Sequence, residues 1–250
     1  MVRLRHLYSV EAAFKYHFSS KETARVSFDH SSSKLDSLQT LHQMCACQKC
    51  LSFLVRTPNL RKLGLTEFSL YFSTLPGLNF LKCLETLSLD FGYFVERMEL
   101  PLTVKRLTFK NAVVKSEAIP NLPNLEVLKF LHIQFLGSVW NTSEEAFPKL
   151  KYLRLCDANM EEWNASKYEF PRLEVLVLEH CRKLKQIPID FGNLNELRKI
   201  MVMGCTQSVE GSAREIQVIV SNIHAHFRGA LVVAGGCPVV SSGKLFGADV

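Results

Sequence analysis

The sequence predicts an α/β solenoid: a curved stack of similar turns, each with one short parallel strand, and an irregular outer side. Three observations carry that expectation. Residues 145–185 state one pattern twice, Phe147-Pro148-x-Leu150-x-x-Leu153-x-Leu155 returning as Phe170-Pro171-x-Leu173-x-x-Leu176-x-Leu178. The first apolar residue of this trio recurs at Leu38, Leu60, Leu84, Val104, Leu125, Leu150, Leu173 and Leu197, in steps of 22, 24, 20, 21, 25, 23 and 24 residues. The second and third members follow it in the other turns as Leu63 and Leu65, Leu87 and Leu89, Leu107 and Phe109, Leu128 and Phe130, Ile200 and Val202.

The second copy runs on to Cys181 and Leu184, giving L-x-x-L-x-L-x-x-C-x-x-L. That is the leucine-rich-repeat pattern, a short strand and a return segment per turn, and the steps fall within its range of about 20–29 residues. Apolar residues make up 47% of the chain, enough for a continuous core. Each inward leucine contributes roughly 1.5–3 kcal/mol when fully buried. No single turn can bury its own apolar edge, so neighbouring turns must cover it.

Residues 1–59 read as degenerate N-terminal repeats. Leu4-Arg-His-Leu7 already has the L-x-x-L spacing, but the step from Leu4 to Leu38 is 34 residues and 19–34 is polar and serine-rich. No polar cap precedes Leu4, so Met1 reads as a start inside a longer array. His42-x-x-Cys45-x-Cys47-x-x-Cys50 is the one metal-like cluster. Its spacing is not that of a standard zinc finger and no second ligand pair follows. The cysteines are read as small buried hydrophobes, and no metal is expected.

Residues 60–205 are the regular repeats. Pro58, Pro123, Pro148 and Pro171 each stand two residues before the first apolar marker. Proline there stops the preceding segment from continuing as helix and lacks an amide hydrogen. Strands are expected at 62–66, 86–90, 106–110, 127–131, 152–156, 175–179 and 199–203. Cys181 and Cys205 fill the position after the third apolar residue, where the chain turns away from the strand and the side chain faces inward. Trp140 and Trp163 fall in return segments and read as packing residues of the convex side. Residues 206–223 read as a C-terminal capping segment with a short helix from Ser212 to Ile223, and 224–250 as a loose tail.

Side chains alternate along a strand, so inward leucines leave three outward columns on the concave face. The first is Lys62, Thr86, Arg106, Val127, Tyr152, Val175, Lys199; the second Gly64, Ser88, Thr108, Lys129, Arg154, Val177, Met201; the third Thr66, Asp90, Lys110, Leu131, Cys156, Glu179, Met203. Early turns present small and polar groups, later turns aromatic, basic and apolar ones. Lys129, Tyr152, Arg154, Val175, Val177, Met201 and Met203 are therefore the candidate partner-binding residues, since interfaces favour such clusters. A neighbouring domain or the C-terminal tail covering this apolar end is the other reading.

Several function classes are excluded. The chain carries 30 basic and 24 acidic residues, a net charge of +6, with no run of five like charges. The densest basic spot, Arg182-Lys183-x-Lys185, reads as a solvated face, and no nucleic-acid partner is expected. Gly243-Lys244 fails as a phosphate loop, because Pro238 stands where the first glycine belongs and Leu245 where a magnesium-binding hydroxyl belongs. No catalytic constellation is visible, so no enzymatic activity is expected. No apolar run of 18 residues exists to span a membrane and no signal peptide is evident, so the expected location is cytoplasmic, with the eight cysteines reduced. Asn141-Thr-Ser and Asn164-Ala-Ser match the glycan acceptor pattern, which matters only in a secreted protein.

The block from Leu60 to Gln217 resembles the C-terminal repeat region of plant intracellular immune receptors of the nucleotide-binding leucine-rich-repeat class, in particular the late blight resistance protein homologs. The residues that carry the likeness are Phe147-Pro-Lys-Leu-Lys-Tyr-Leu-Arg-Leu, Trp163-x-Ala-Ser, Phe170-Pro-Arg-Leu-Glu-Val-Leu-Val-Leu-x-x-Cys181, Leu184-x-x-Ile187-Pro188-x-x-Phe191-Gly192 and Ser212-Ala-Arg-Glu-Ile-Gln217. The resemblance implies recognition of a protein partner in plant defence: a pathogen effector, a guarded host protein, or the receptor's own nucleotide-binding domain, which the repeats restrain until activation leads to localised cell death. No such domain lies in this chain, so no cofactor is expected here; ATP or ADP belongs to the missing domain. A fragment, a truncated paralogue and a repeat-only product all fit that departure. The alternative is the repeat half of a ubiquitin-ligase substrate adaptor or another stand-alone scaffold, though no F-box segment is seen. A secreted repeat ectodomain fits less well, since Ile187-Pro188 follows Lys185-Gln186 rather than glycine.

Overall fold

The computed structural model describes residues 4–8, 34–46, 53–66, 77–90, 92, 94–95, 98–115, 119, 121–142, 146–223 and 232–233. All seven expected strands form with the expected bounds: β3 (Lys62–Thr66), β4 (Thr86–Asp90), β6 (Arg106–Lys110), β8 (Val127–Leu131), β11 (Tyr152–Cys156), β13 (Val175–Glu179) and β14 (Lys199–Met203). Ahead of them lie β1 (His6–Leu7) and β2 (Thr40–Cys45), and beyond them β15 (Val232–Val233). These ten strands form one parallel sheet in the order β1-β2-β3-β4-β6-β8-β11-β13-β14-β15. The fold is the leucine-rich-repeat solenoid that the sequence predicts.

The inward rows are close to perfectly dry. Leu63, Leu87, Leu107, Leu128, Leu153, Leu176 and Ile200 are at most 1% exposed, and so are Leu65, Leu89, Phe109, Phe130, Leu155, Leu178 and Val202. On the far side, short strands replace a helix. β5 (Phe94–Val95), β7 (Val113–Val114) and β9 (Gln134–Phe135) form one small parallel sheet, and β10 (Val139–Asn141) and β12 (Glu162–Asn164) another. Trp140 and Trp163 are register partners there, stacked with centroids 5.1 Å apart. Trp140 meets Phe130 edge-on at 5.4 Å, and Trp163 meets Phe191 edge-on at 5.1 Å, so an aromatic spine joins successive turns through the convex side.

Three details refine the sequence reading. After β6, β8, β11, β13 and β14 the residue that turns the chain out of the strand is one earlier than the cysteine position. Asn111, His132, Asp157, His180 and Gly204 have φ between 50° and 61°, a left-handed conformation that Asn, Asp, His and Gly enter most readily. Their amides prolong the ladder: His132 N donates to Cys156 O at 2.8 Å, and His180 N to Met203 O at 2.8 Å. Cys181 then points inward and its thiol donates to Leu155 O at 3.6 Å, with Cys205 repeating this on Leu178 O at 3.7 Å.

The capping helix, α1 (Gln207–Ile223), begins five residues before Ser212. Thr206 is its cap: its hydroxyl oxygen accepts from Val209 N at 3.3 Å and its O–H donates to Leu184 O at 3.2 Å. The helix buries Val209, Ala213, Ile216 and Val220, a helical stripe laid over the last turn and the 3-10 segment Ile189–Asn193. Within the segment read as a loose tail, Val232 and Val233 pair with Met201 and Val202 and so extend the sheet.

Candidate functional site: the concave face

The candidate site is built from strand alternation alone. In β4, β8, β11 and β14 every second residue is buried and its neighbours are part-exposed. The sheet register then sets the outward residues side by side. Tyr152 lies between Val127 and Val175, Arg154 between Lys129 and Val177, and Cys156 between Leu131 and Glu179. On the last strand Val177 pairs with Met201, and Glu179 with Met203. The three columns inferred from the sequence are thus the three physical rows of the face.

Contacts along and between the rows fix the central side chains. Arg154 Nη2 donates to Glu179 Oε2 at 2.6 Å. Burial is the largest single effect and works to lower the Arg154 pKa, but the hydrogen bond and charge of Glu179, with Tyr152 and Cys156, together outweigh it and hold the guanidinium above its ordinary value. Burial raises the Tyr152 phenol, with Arg154 pulling against it. Lys129 Nζ sits 5.6 Å from the Tyr152 ring centroid, a cation–π geometry. The Cys156 thiol is pushed up to about 11, first by burial and then by the Glu179 and Asp157 carboxylates, so it stays protonated at neutral pH.

Six of the seven candidate residues keep accessible surface: Lys129, Tyr152, Arg154, Val175, Met201 and Met203. Val177 does not. It is 3% exposed, closed in on the row between Arg154 and Met201, and supports its neighbours instead of offering surface. Sequence reasoning missed Glu179 as the clamp on Arg154. The signal was present, because the third column places a carboxylate one strand over from an arginine in the second.

At the other end of the face, β2 carries an extra residue. Leu41 pairs with Leu63 and Met44 with Leu65, so His42 and Gln43 together oppose Gly64. Gln43 is left-handed at φ 56°, and a Cβ on Gly64 would stand 3.3 Å from Gln43 N and 3.4 Å from His42 Nδ1. Glycine at that outward position makes room for the bulge. Burial, then Lys62 and Lys110, lower the His42 pKa. Cys45 lies on the same strand, whereas Cys47 and Cys50 of the metal-like cluster, and the 238–245 segment, lie outside the described residues.

The late blight resistance protein homolog R1B-12 of Solanum demissum is 35% identical over 228 residues, covering 87% of this chain and 16% of that protein. Homolog R1B-16 of the same plant is 33% identical over 228 residues, covering 87% and 17%, and homolog R1B-23 is 31% identical over 228 residues, again covering 87% and 17%. The chain belongs with the late blight resistance protein homologs. It spans about a sixth of their length, at 16% and 17% for the first two, so it corresponds to a repeat region of that family. With 87% of the chain matched to late blight resistance homologs, most of the ten-stranded sheet lies within the shared part. No family model matches the chain. Among solved structures, Listeria monocytogenes InlP aligns at 16% identity with a TM-score of 0.45, over 67% of this chain and 56% of that one. Among the described residues no helix is long and apolar enough to cross a membrane, and no cluster of three potential metal ligands occurs.

Proposed function

We propose that this chain is the protein-recognition surface of a plant immune receptor, acting in the cytoplasm on a pathogen effector or a guarded host protein and restraining a nucleotide-binding domain. The observation that carries this reading is a surplus. Tyr152, Val175, Met201 and Met203 all stand outside the apolar core cluster that the leucines fill and keep accessible surface. They lie on the outward rows of a rigid parallel sheet, beside an arginine already held by a carboxylate. A fixed aromatic and a fixed arginine are the residue types that dominate interface energetics. The chain's kinship with resistance proteins supplies the setting, and a solenoid that holds no catalytic cluster among its described residues suits binding rather than turnover.

The test is Tyr152→Ala with Arg154→Ala in a full-length receptor carrying this repeat region. Association with the nucleotide-binding domain or the effector response is expected to change by about tenfold or more, as for interface anchors. Correctly folded receptor with both readouts unchanged would remove the face from consideration.

A further inference from the structure

Charges that are scattered in the sequence converge on one half of the concave face. The outward positions of β3, β4, β6 and β8 hold Lys62, Arg106, Lys110 and Lys129 against a single carboxylate, Asp90. Several cations elsewhere are paired: Arg61 and Lys105 with Glu85, Lys151 with Glu174, Arg154 with Glu179, Lys185 with Glu162, Arg214 with Glu210. The four concave cations have no such partner among the described residues, and Lys129 touches only the Tyr152 ring. Asp90, the register partner of Lys110, accepts from Asn111 Nδ2 at 2.9 Å and forms no ion pair with that lysine, so it offsets one of the four charges in part. Their mutual effect is felt nearby, since Lys62 and Lys110 add to the lowering of the His42 pKa.

Between the cations the floor is made of hydroxyls. Thr86 pairs with Arg106, Ser88 with Thr108, and Thr108 with Lys129. Arg106 and Lys110 are four residues apart on β6, about 13 Å at the rise of a strand. An extended peptide has the same rise, so two carboxylates four residues apart reach both cations, while the hydroxyls can donate to or accept from its backbone. The next strands continue as Val127, Leu131 and Tyr152, an apolar wall suited to the side chains of a polypeptide. No aromatic residue stands at the outward positions of the basic half to stack a base.

We infer that the basic half of the concave face binds an acidic polypeptide segment, with Arg106, Lys110 and Lys129 receiving its carboxylates over the Thr86, Ser88 and Thr108 floor. This rests on the reading of the concave face as a protein-recognition surface and names the chemistry of the partner.

The test uses the full chain and a short fluorescein-labelled Glu-Ser repeat peptide, with a Gln-Ser peptide, a single-stranded RNA and a duplex DNA as comparisons. The acidic peptide is expected to bind, to weaken as salt rises, and to outcompete the nucleic acids. Lys110→Glu with Lys129→Glu is expected to weaken binding at least about tenfold. Arg182→Glu with Lys183→Glu changes net charge equally at exposed positions off the concave rows and is expected to leave binding within about twofold. Equal loss in both pairs, no binding by the unaltered chain, or tighter binding of either nucleic acid through Lys110 and Lys129 overturns the inference. If the charge-reversed protein loses its circular dichroism, Lys110→Gln with Lys129→Gln decides instead, a loss of about threefold or more being expected and no loss overturning it. Failure here alongside a positive Tyr152 and Arg154 result in the receptor discards the acidic partner alone; failure of both discards the face.

Discussion

Arg154 Nη2 and Glu179 Oε2 meet at 2.6 Å across adjacent strands on the outward side of the sheet, with Cys156 of the Arg154 strand paired in register to Glu179. The pair is neither fully buried nor free: the side chains are 33% and 15% exposed. A double-mutant cycle of Arg154→Ala and Glu179→Ala is expected to give a coupling of about 1 kcal/mol, after allowance for solvent screening. Chemical denaturation of the four proteins measures it, and a coupling indistinguishable from zero would mean the contact orients side chains without stabilising the fold.

Burial first, then the same carboxylate, raises the pKa of the neighbouring thiol. With its pKa at about 11, Cys156 is expected to react slowly with iodoacetamide at pH 8, well behind the exposed Cys83, and to accelerate as pH approaches 11. Glu179→Gln removes a charge that opposes the thiolate, so the variant is expected to alkylate faster at Cys156 at the same pH. Peptide mass spectrometry after timed quenching resolves the two sites.

Gly192 sets how closely the capping helix lies. A Cβ at this position would stand 2.8 Å from Ile219 Cγ2 on α1. Gly192→Ala is expected to destabilise the chain by about 1–3 kcal/mol through overpacking. Adding Ile219→Ala opens that space, so the double variant is expected to be more stable than the sum of the two single effects. Strict additivity would place the strain elsewhere.

Much of this architecture was legible because one rule, strand alternation applied to a fixed spacing, determines both the inward leucines and the outward rows. Leu153 and Tyr152 are assigned by the same step. What was not legible depends on contacts between turns rather than within one. The left-handed turn at His180, the burial of Val177 and the bulge opposite Gly64 each arise because an adjacent strand is present. The basic half of the face is of both kinds: alternation places Lys62, Arg106, Lys110 and Lys129 outward, so the early turns are basic as well as small and polar, but their lack of carboxylate partners depends on neighbouring turns. Lys62, the Arg106 and Lys110 pair, and Lys129 come from three different strands, and only the register of the sheet makes them neighbours.

Asp190 ties two return segments together. Its Oδ2 accepts from Lys167 N at 2.8 Å and its Oδ1 from Asn193 Nδ2 at 2.8 Å. The Lys167 amide first, then Asn193, hold the carboxyl below its ordinary 3.8. A depressed folded-state pKa means the contribution is complete above the unfolded value and is lost as pH falls through the folded one. Asp190→Ala is therefore expected to cost about 1 kcal/mol near pH 7, with the gap to the unaltered protein narrowing below pH 3.8. Melting temperatures across pH measure the difference; a constant gap would assign the effect to packing alone.

Leu176 tests whether the solenoid behaves as a stack of coupled turns. It is 0% exposed and lies in register between Leu153 and Ile200, so its methyl groups support the turn before and the turn after. Leu176→Ala is expected to destabilise by about 2–5 kcal/mol, the transfer and cavity cost of a buried leucine. In a compact core that loss would lower protection everywhere alike. In a linear stack each turn touches only its neighbours, so hydrogen exchange is expected to rise most in β11, β13 and β14 and least in β3 and β4. Val175→Ala on the same strand points outward, lies outside the core cluster and is expected to cost much less. Uniform loss of protection from β3 to β14 would show that the chain unfolds as one unit despite its repeated construction.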